Sequence, residues 1–106
     1  MPASDVPAWK RLTSREEFVA AFAGVTLVGE DLRFVIHEDG RLAGVAGGLP
    51  LSGTWYWSDG LFCRTADLDG EPLGLDCEVI ECRGDQMRYI RERGEGDASI
   101  VEIARS

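Results

Sequence analysis

Three cysteines, a single histidine and a small set of aromatic and charged residues are the side chains of this 106-residue chain with chemistry to offer. Cys63 and Cys77 stand symmetrically about Gly70. A hairpin pivoting there would set them opposite one another, with Cα atoms roughly 4.5 to 5.5 Å apart and within disulfide reach. The spacing predicts a Cys63 to Cys77 bridge, and the competing reading is two buried reduced thiols. Cys82 lies an odd step beyond Cys77, which turns it to the other face of a regular strand, where it reads as a core thiol. Zinc finds little support, because no Cys-x2-Cys spacing is present. His37 sits beside Glu38 and Asp39 in a turn, with no second histidine for a metal or relay site and no third group to orient a Cys63 and His37 nucleophile pair. Asp67, Asp69 and Glu71 read as a solvated loop.

A second group is defined by register. Trp55, Trp57, Phe62, Arg64, Glu78, Tyr89 and Arg91 fall on one face if the chain folds into hairpins about Asp59-Gly60, Gly70 and Gly84-Asp85, since residues paired across a hairpin share a face. Aromatic walls with a few convergent charges suit a small-molecule pocket. The alternative is a packed aromatic core in which Glu78 neutralises Arg64 and Arg91 at its rim.

Positioning these side chains is the work of short strands. From Val25 onward β-rich runs alternate with turn dipeptides, which predicts strands over 25–28, 31–37, 41–46, 52–57, 61–66, 75–83, 86–92 and 98–104. The turn at Asp39-Gly40 predicts Ile36 opposite Ala43 and Phe34 opposite Val45, with Leu32 extending that apolar face. Asp59-Gly60 predicts Trp57 opposite Phe62, Trp55 opposite Arg64 as a cation–π pair, and Tyr56 opposite Cys63. Gly84-Asp85 predicts Cys82 with Met87, Ile80 with Tyr89, Glu78 with Arg91 and Glu81 with Arg88. A three-residue loop before the last strand sets Met87 against Ile103, Tyr89 against Val101 and Arg88 against Glu102. Glu81, Arg88 and Glu102 then form an exposed charge ladder. Ahead of the strands, a helix is predicted over about 13–23, with Thr13 and Glu16 or Ser14 and Glu17 as its capping box and Gly24 as its stop. Val79, Ile90 and Ile100 offer a seat for its Phe18 and Phe22.

The fold class that follows is mainly β: an antiparallel meander of about eight strands forming a small barrel or half-barrel with one N-terminal α-helix, as a single domain over 1–106. A flat sheet with the helix across one face competes. With 44% apolar and 28% charged residues the chain is an ordinary globule rather than a disordered one. Its net charge of −8 opposes binding to nucleic acid or anionic lipid, and leaves basic partners open. No apolar run reaches membrane-span length, so no membrane insertion is expected, and the first 14 residues lack the apolar core of a secretory signal.

The run Gly53-Thr54-Trp55-Tyr56-Trp57-Ser58-Asp59-Gly60-Leu61-Phe62-Cys63-Arg64 resembles the core of a family of small uncharacterised bacterial proteins, often labelled dihydrodipicolinate reductase. Asp76-Cys77-Glu78, Arg88-Tyr89 and Arg93-Gly94-x-Gly96-Asp97 extend the likeness over about 16–103. The resemblance implies a compact β domain and export through a signal peptide. It favours a periplasmic location, as the candidate disulfide does, whereas a native N-terminus at Met1 would mean the cytoplasm. The chain differs from the family in lacking the signal, in having Cys82 and in carrying Ile90-Arg91 where small polar residues are usual. A nicotinamide-dependent reductase is not expected, because Gly44 to Gly48 runs into Leu49-Pro50 and opens no helix of a βαβ unit. Gly53-x-Trp55 is also similar to the Gly-x-Trp strand of lipocalins and small barrel protease inhibitors, although there the motif is N-terminal and here it is central.

The function expected is a non-catalytic binding or interaction module for an unknown small molecule, such as a small amphipathic anion, or for a protein, with no cofactor and no metal. The alternatives are a small enzyme using the face of Arg64, Glu78 and Tyr89, or a purely structural subunit.

Overall fold

A computed structural model describes residues 8–104, so the two ends of the single-domain expectation lie outside the described residues. The element order is β1 (Lys10–Arg11), α1 (Arg15–Phe22), β2 (Thr26–Gly29), β3 (Leu32–Ile36), β4 (Arg41–Ala46), β5 (Leu49–Ser58), β6 (Leu61–Leu68), β7 (Glu71–Arg83), β8 (Gln86–Ile90), α2 (Arg91–Gly94) and β9 (Ala98–Ile103). Strands β2 to β9 pair antiparallel with their chain neighbours, and β9 returns to pair with β2. The sheet therefore closes into an eight-stranded barrel, which removes the open edges that a curled or flat sheet would leave. Strand β7 is long enough to pair with β6 through its first half and with β8 through its second, while β1 lies along Glu81 and Cys82.

Alternation along the strands sends one set of side chains inward. Phe34, Ile36, Leu42, Trp55, Phe62, Ile80, Met87 and Val101 form the buried core with Leu12, Phe18, Phe22 and Leu27, and Cys82, Tyr89 and Ile103 pack against it. A smaller outer cluster joins Leu61, Cys63 and Val79, with Cys77 and Ile90 packed on them.

Helix α1 starts two residues later than predicted and is two turns long. Ser14 is its N-cap, its hydroxyl accepting from the Glu17 N–H at 3.1 Å, and the Glu17 carboxylate accepts from the Thr13 N–H at 3.0 Å. Ser14 and Glu17 thus form the capping box, and Leu12 donates its N–H to the Ile80 carbonyl instead of joining the helix. The predicted seat of the helix is corrected. Phe18 packs inside the barrel against Trp55, Trp57 and Phe62, with ring centroids 5.1–5.4 Å away, so α1 plugs one end. Val79 and Ile90 lie outside, in the smaller cluster.

The register about Asp59-Gly60 is as predicted, and so are the Cys82 to Met87, Ile80 to Tyr89 and Glu81 to Arg88 pairs. The Asp39-Gly40 hairpin is corrected by one residue: Ile36 faces Leu42 and Phe34 faces Gly44. His37 and Arg41 close a three-residue loop in which Gly40 takes φ 101°, so Leu42 is buried and Val45 exposed. Glycine is required at 44, because a Cβ there would fall on the backbone of Arg33 and Phe34.

The last hairpin is corrected by two residues: Met87 faces Val101, Arg88 faces Ile100 and Tyr89 faces Ser99. Its loop runs from Arg91 to Asp97 and contains two successive left-handed residues, Glu92 and Arg93. An even shift keeps every side chain on its predicted face but moves Glu102 opposite Gln86, leaving Glu81 and Arg88 as a pair rather than a ladder with Glu102. Arg91 leaves the strand at α2, so the predicted Glu78 to Arg91 pairing gives way to Val79 with Ile90 as the last pair.

Candidate functional site

In an up-and-down barrel alternate turns gather at opposite ends. The β3–β4, β5–β6 and β7–β8 turns lie at the end plugged by α1, whereas the β2–β3, β4–β5, β6–β7 and β8–β9 connections surround the other. A cavity of about 550 Å³ runs into the barrel from that second end. Its walls are apolar over most of their extent, with Phe34, Leu51, Ala66 and Val101 among them, and Phe62 reaches it from the core.

Its polar groups converge from β6, β7 and the end of β8. Arg64, Glu78, Tyr89 and Arg91 all line the cavity. Their common orientation follows from parity: Arg64 sits two residues from Phe62 on β6, and Glu78 faces Phe62 across the ladder. Trp55 and Trp57 share the inward face but lie deeper, against Phe18, so the predicted aromatic set divides between plug and cavity. The cation over Trp55 is Arg15 of α1, 5.2 Å from the ring centroid, in place of the predicted Arg64. The Trp55 indole N–H donates to the His37 carbonyl at 2.7 Å, which anchors that strand at the plugged end.

Glu78 is the dominant group electrostatically. It is 3% exposed, its Oε2 lies 3.6 Å from Arg64 Nη2, and that oxygen accepts no hydrogen bond among the described residues. Its pKa is raised to about 7 in all: burial pushes it up most, Arg64 pulls it part of the way back, Asp76 on the same strand adds to the rise, and Arg91 contributes a smaller downward pull. Arg64 spends one donor on the Gly74 carbonyl at 3.0 Å. Arg91 lies over the Tyr89 ring, 5.2 Å from its centroid, and donates to the Asp97 carbonyl at 3.3 Å. Asp76 accepts the Glu92 N–H at 3.1 Å, fastening the left-handed turn that aims Arg91 at the cavity.

Sequence reasoning missed five contributing residues. Asp76 could have been found by parity, being two residues from Glu78. Glu30 and Asp31 line the cavity from the β2–β3 turn, and their position between two predicted strands was the available signal. The left-handed Glu92-Arg93 pair had none, since neither residue type favours that conformation.

The cysteines lie outside the cavity. Cys63 and Cys77 are directly opposite across β6 and β7 and form a disulfide with Cα atoms 3.9 Å apart, while Cys82 is free and half-buried. The symmetry about Gly70 is reached by compensation. The turn is the two-residue Asp69-Gly70, which pairs Leu68 with Glu71, and a bulge at Leu73 then restores the register that joins the cysteines. His37 is at the plugged end, and among the described residues no three His, Cys, Asp or Glu side chains converge as a metal site.

Comparison with family models, with curated proteins and with solved structures found no match.

Proposed function

We propose that this protein is a binding module without catalysis, and that its barrel cavity takes a small amphipathic anion. The observation that carries this is the wall where Arg64 and Arg91 meet the apolar stretch of the cavity. Each guanidinium has five N–H donors, and among the described residues Arg64 spends one at hydrogen-bond distance, on Gly74. With its pKa near 7, Glu78 is substantially neutral at neutral pH, so it cancels only part of the Arg64 charge. A carboxylate or similar head group would complete the donors while its apolar body lies against Phe34, Leu51 and Val101. The kinship with the small bacterial family is likewise a proposal, supported by the way Gly53 to Arg64 form one hairpin of the barrel.

Calorimetric titration with decanoate near pH 6.5 is the test. Saturable binding is expected in the wild type, weakened roughly tenfold or more in Arg64→Leu, the scale of one charge-assisted hydrogen bond. An absence of saturable heat in the wild type would overturn the reading. The enzyme alternative is favoured by one observation, a buried carboxyl whose pKa suits proton transfer at neutral pH. It would require a turnover that Glu78→Gln abolishes while ligand affinity persists.

A further inference from the structure

The acidic residues of this chain are distributed unevenly along the barrel axis. At the cavity mouth the β2–β3 turn carries Glu30 and Asp31, and the β6–β7 hairpin tip carries Asp67, Asp69 and Glu71. The β8–β9 connection adds Glu92, Glu95 and Asp97 against Arg91 and Arg93. With Arg33 beside the β2–β3 turn, eight carboxylates against three guanidiniums leave −5 of the chain's −8 at this end. At the plugged end the six acidic residues of α1 and its three neighbouring turns are nearly balanced by Lys10, Arg11, Arg15, Arg41 and Arg83.

The mouth alone defines no ligand. A second, independent feature does: in the same cavity Glu78, 3% exposed, has an oxygen without a hydrogen bond among the described residues, beside an arginine that spends one donor, on Gly74. A simple anion is drawn to Arg64 but must first cross a negative rim, which opposes its approach within a Debye length of about 8 Å at physiological salt. One ligand chemistry satisfies both zones.

We infer that the cavity is built for a bipolar ligand, with a carboxylate at Arg64 and Glu78, an apolar body along the barrel wall, and a cationic group at the mouth facing Glu30 and Asp31. This rests on the cavity reading above and specifies its ligand class. The inner end is held by Arg64 donating to the carboxylate and by the neutral Glu78 carboxyl donating its proton to the other carboxylate oxygen, so the orphaned oxygen group finds its partner. Arg91 and Tyr89 bound the head group on the β8 side, and Asp76 remains engaged with the Glu92 N–H. Glu30 and Asp31 line the same cavity as Arg64 and Glu78, so one molecule reaches both charge zones.

The test compares decanoate, its ω-amino derivative and decylamine by calorimetry, at low and at high salt. The ω-amino acid is expected to bind about fivefold more tightly than decanoate at low salt, the advantage shrinking below about twofold at high salt. The double variant Glu30→Gln with Asp31→Asn should remove that advantage; asparagine tolerates the left-handed φ of 58° at position 31. Decanoate binding that equals or exceeds that of the ω-amino acid at low salt would overturn the bipolar ligand and leave the cavity reading standing. Failure of both acids to bind would overturn both. Decylamine binding as tightly as the ω-amino acid, with no loss in Arg64→Leu, would also overturn both, since the inner end would then not be reading an acid.

Discussion

Glu78 couples the cavity to pH through its own stability cost. Its folded pKa of about 7 lies above the 4.5 of an unperturbed glutamate, so between those values the folded chain keeps a proton that the unfolded chain has released. Stability therefore falls as pH climbs from about 4.5 to about 7 and levels off above, by up to about 3 kcal/mol over that window. Urea unfolding at pH 5 and pH 8 should show this fall in the wild type and little of it in Glu78→Gln; an equal fall in both would mean that the burial cost of Glu78 is relieved. Glu17 and Asp39 act oppositely, their pKa values held below the ordinary range by hydrogen bonds from Thr13 and Arg41, so their contributions are lost only in more acid solution. Arg88 carries more than the exposed ladder predicted for it. It meets Glu81 at 2.6 Å and lies over the Trp9 ring at 4.5 Å, with Arg83 over the same ring at 4.2 Å. Arg88→Ala should cost about 1–2 kcal/mol and change the Trp9 fluorescence. A loss too small to measure would return Arg88 to the solvated role.

At the scale of the elements, α1 and the β6–β7 hairpin do different work. The helix fills one barrel mouth with Phe18 and Phe22, both essentially unexposed, so Phe18→Ala should destabilise the fold by about 3–5 kcal/mol in denaturant titration. A loss under about 1 kcal/mol would show that the Trp55, Trp57 and Phe62 cluster stands without it. The disulfide closes a loop of about 15 residues, worth roughly 3 kcal/mol in the chain-entropy model. Thiol counting on denatured, unreduced protein should find Cys82 as the free thiol and no other; three thiols would remove the bridge. These elements show what the sequence made legible. Asp59-Gly60 was readable because both residues accept positive φ, here 53° and 75°, and that fixes a two-residue turn and all pairings beyond it. The same dipeptide at 39–40 misled, because the close approach of Phe34 demands Gly44 opposite it, a tertiary constraint no dipeptide encodes. The cysteine pairing was legible although its turn was misread, since a bulge cancelled the error. Five of the seven predicted site residues line the cavity because the registers that set their face were read correctly and period-two alternation then fixes it, whereas depth along the barrel, which separates Trp55 and Trp57 from the rest, leaves no periodic signal.

The barrel as a whole is not equally sealed around its circumference. Strands β5 and β6 are laddered continuously from Leu51 and Leu68 down to Ser58 and Leu61, and the disulfide fastens β6 to β7. The seam between β2 and β9 rests instead on Leu27 with Ile103, Val28 with Glu102 and the bond from the Ala104 N–H to the Thr26 carbonyl. This seam also joins the two chain segments most distant in sequence, so it gains least from local connectivity. Gly29, Ser99, Ile100 and Val101 flank it and line the cavity, and Ile100 is 47% exposed. Local opening of the mouth end of this seam, at Val28 with Glu102, is therefore the least costly way to widen the mouth, because few backbone bonds are surrendered while Leu27 and Ile103 stay packed at the other end. Native-state hydrogen exchange should reveal it. The amides of the Val28 and Glu102 pair, the end of the seam nearer the mouth, are expected to exchange at least about tenfold faster than those of the β5–β6 ladder. In Gly29→Ala the new Cβ would come within 2.9 Å of Val101 Cγ1, which should raise exchange across the seam while leaving β5–β6 protection in place. If the Val28 and Glu102 amides instead exchange at the rate of the β5–β6 amides in both proteins, the barrel opens only by unfolding as a unit, and ligands must enter through a mouth of fixed width.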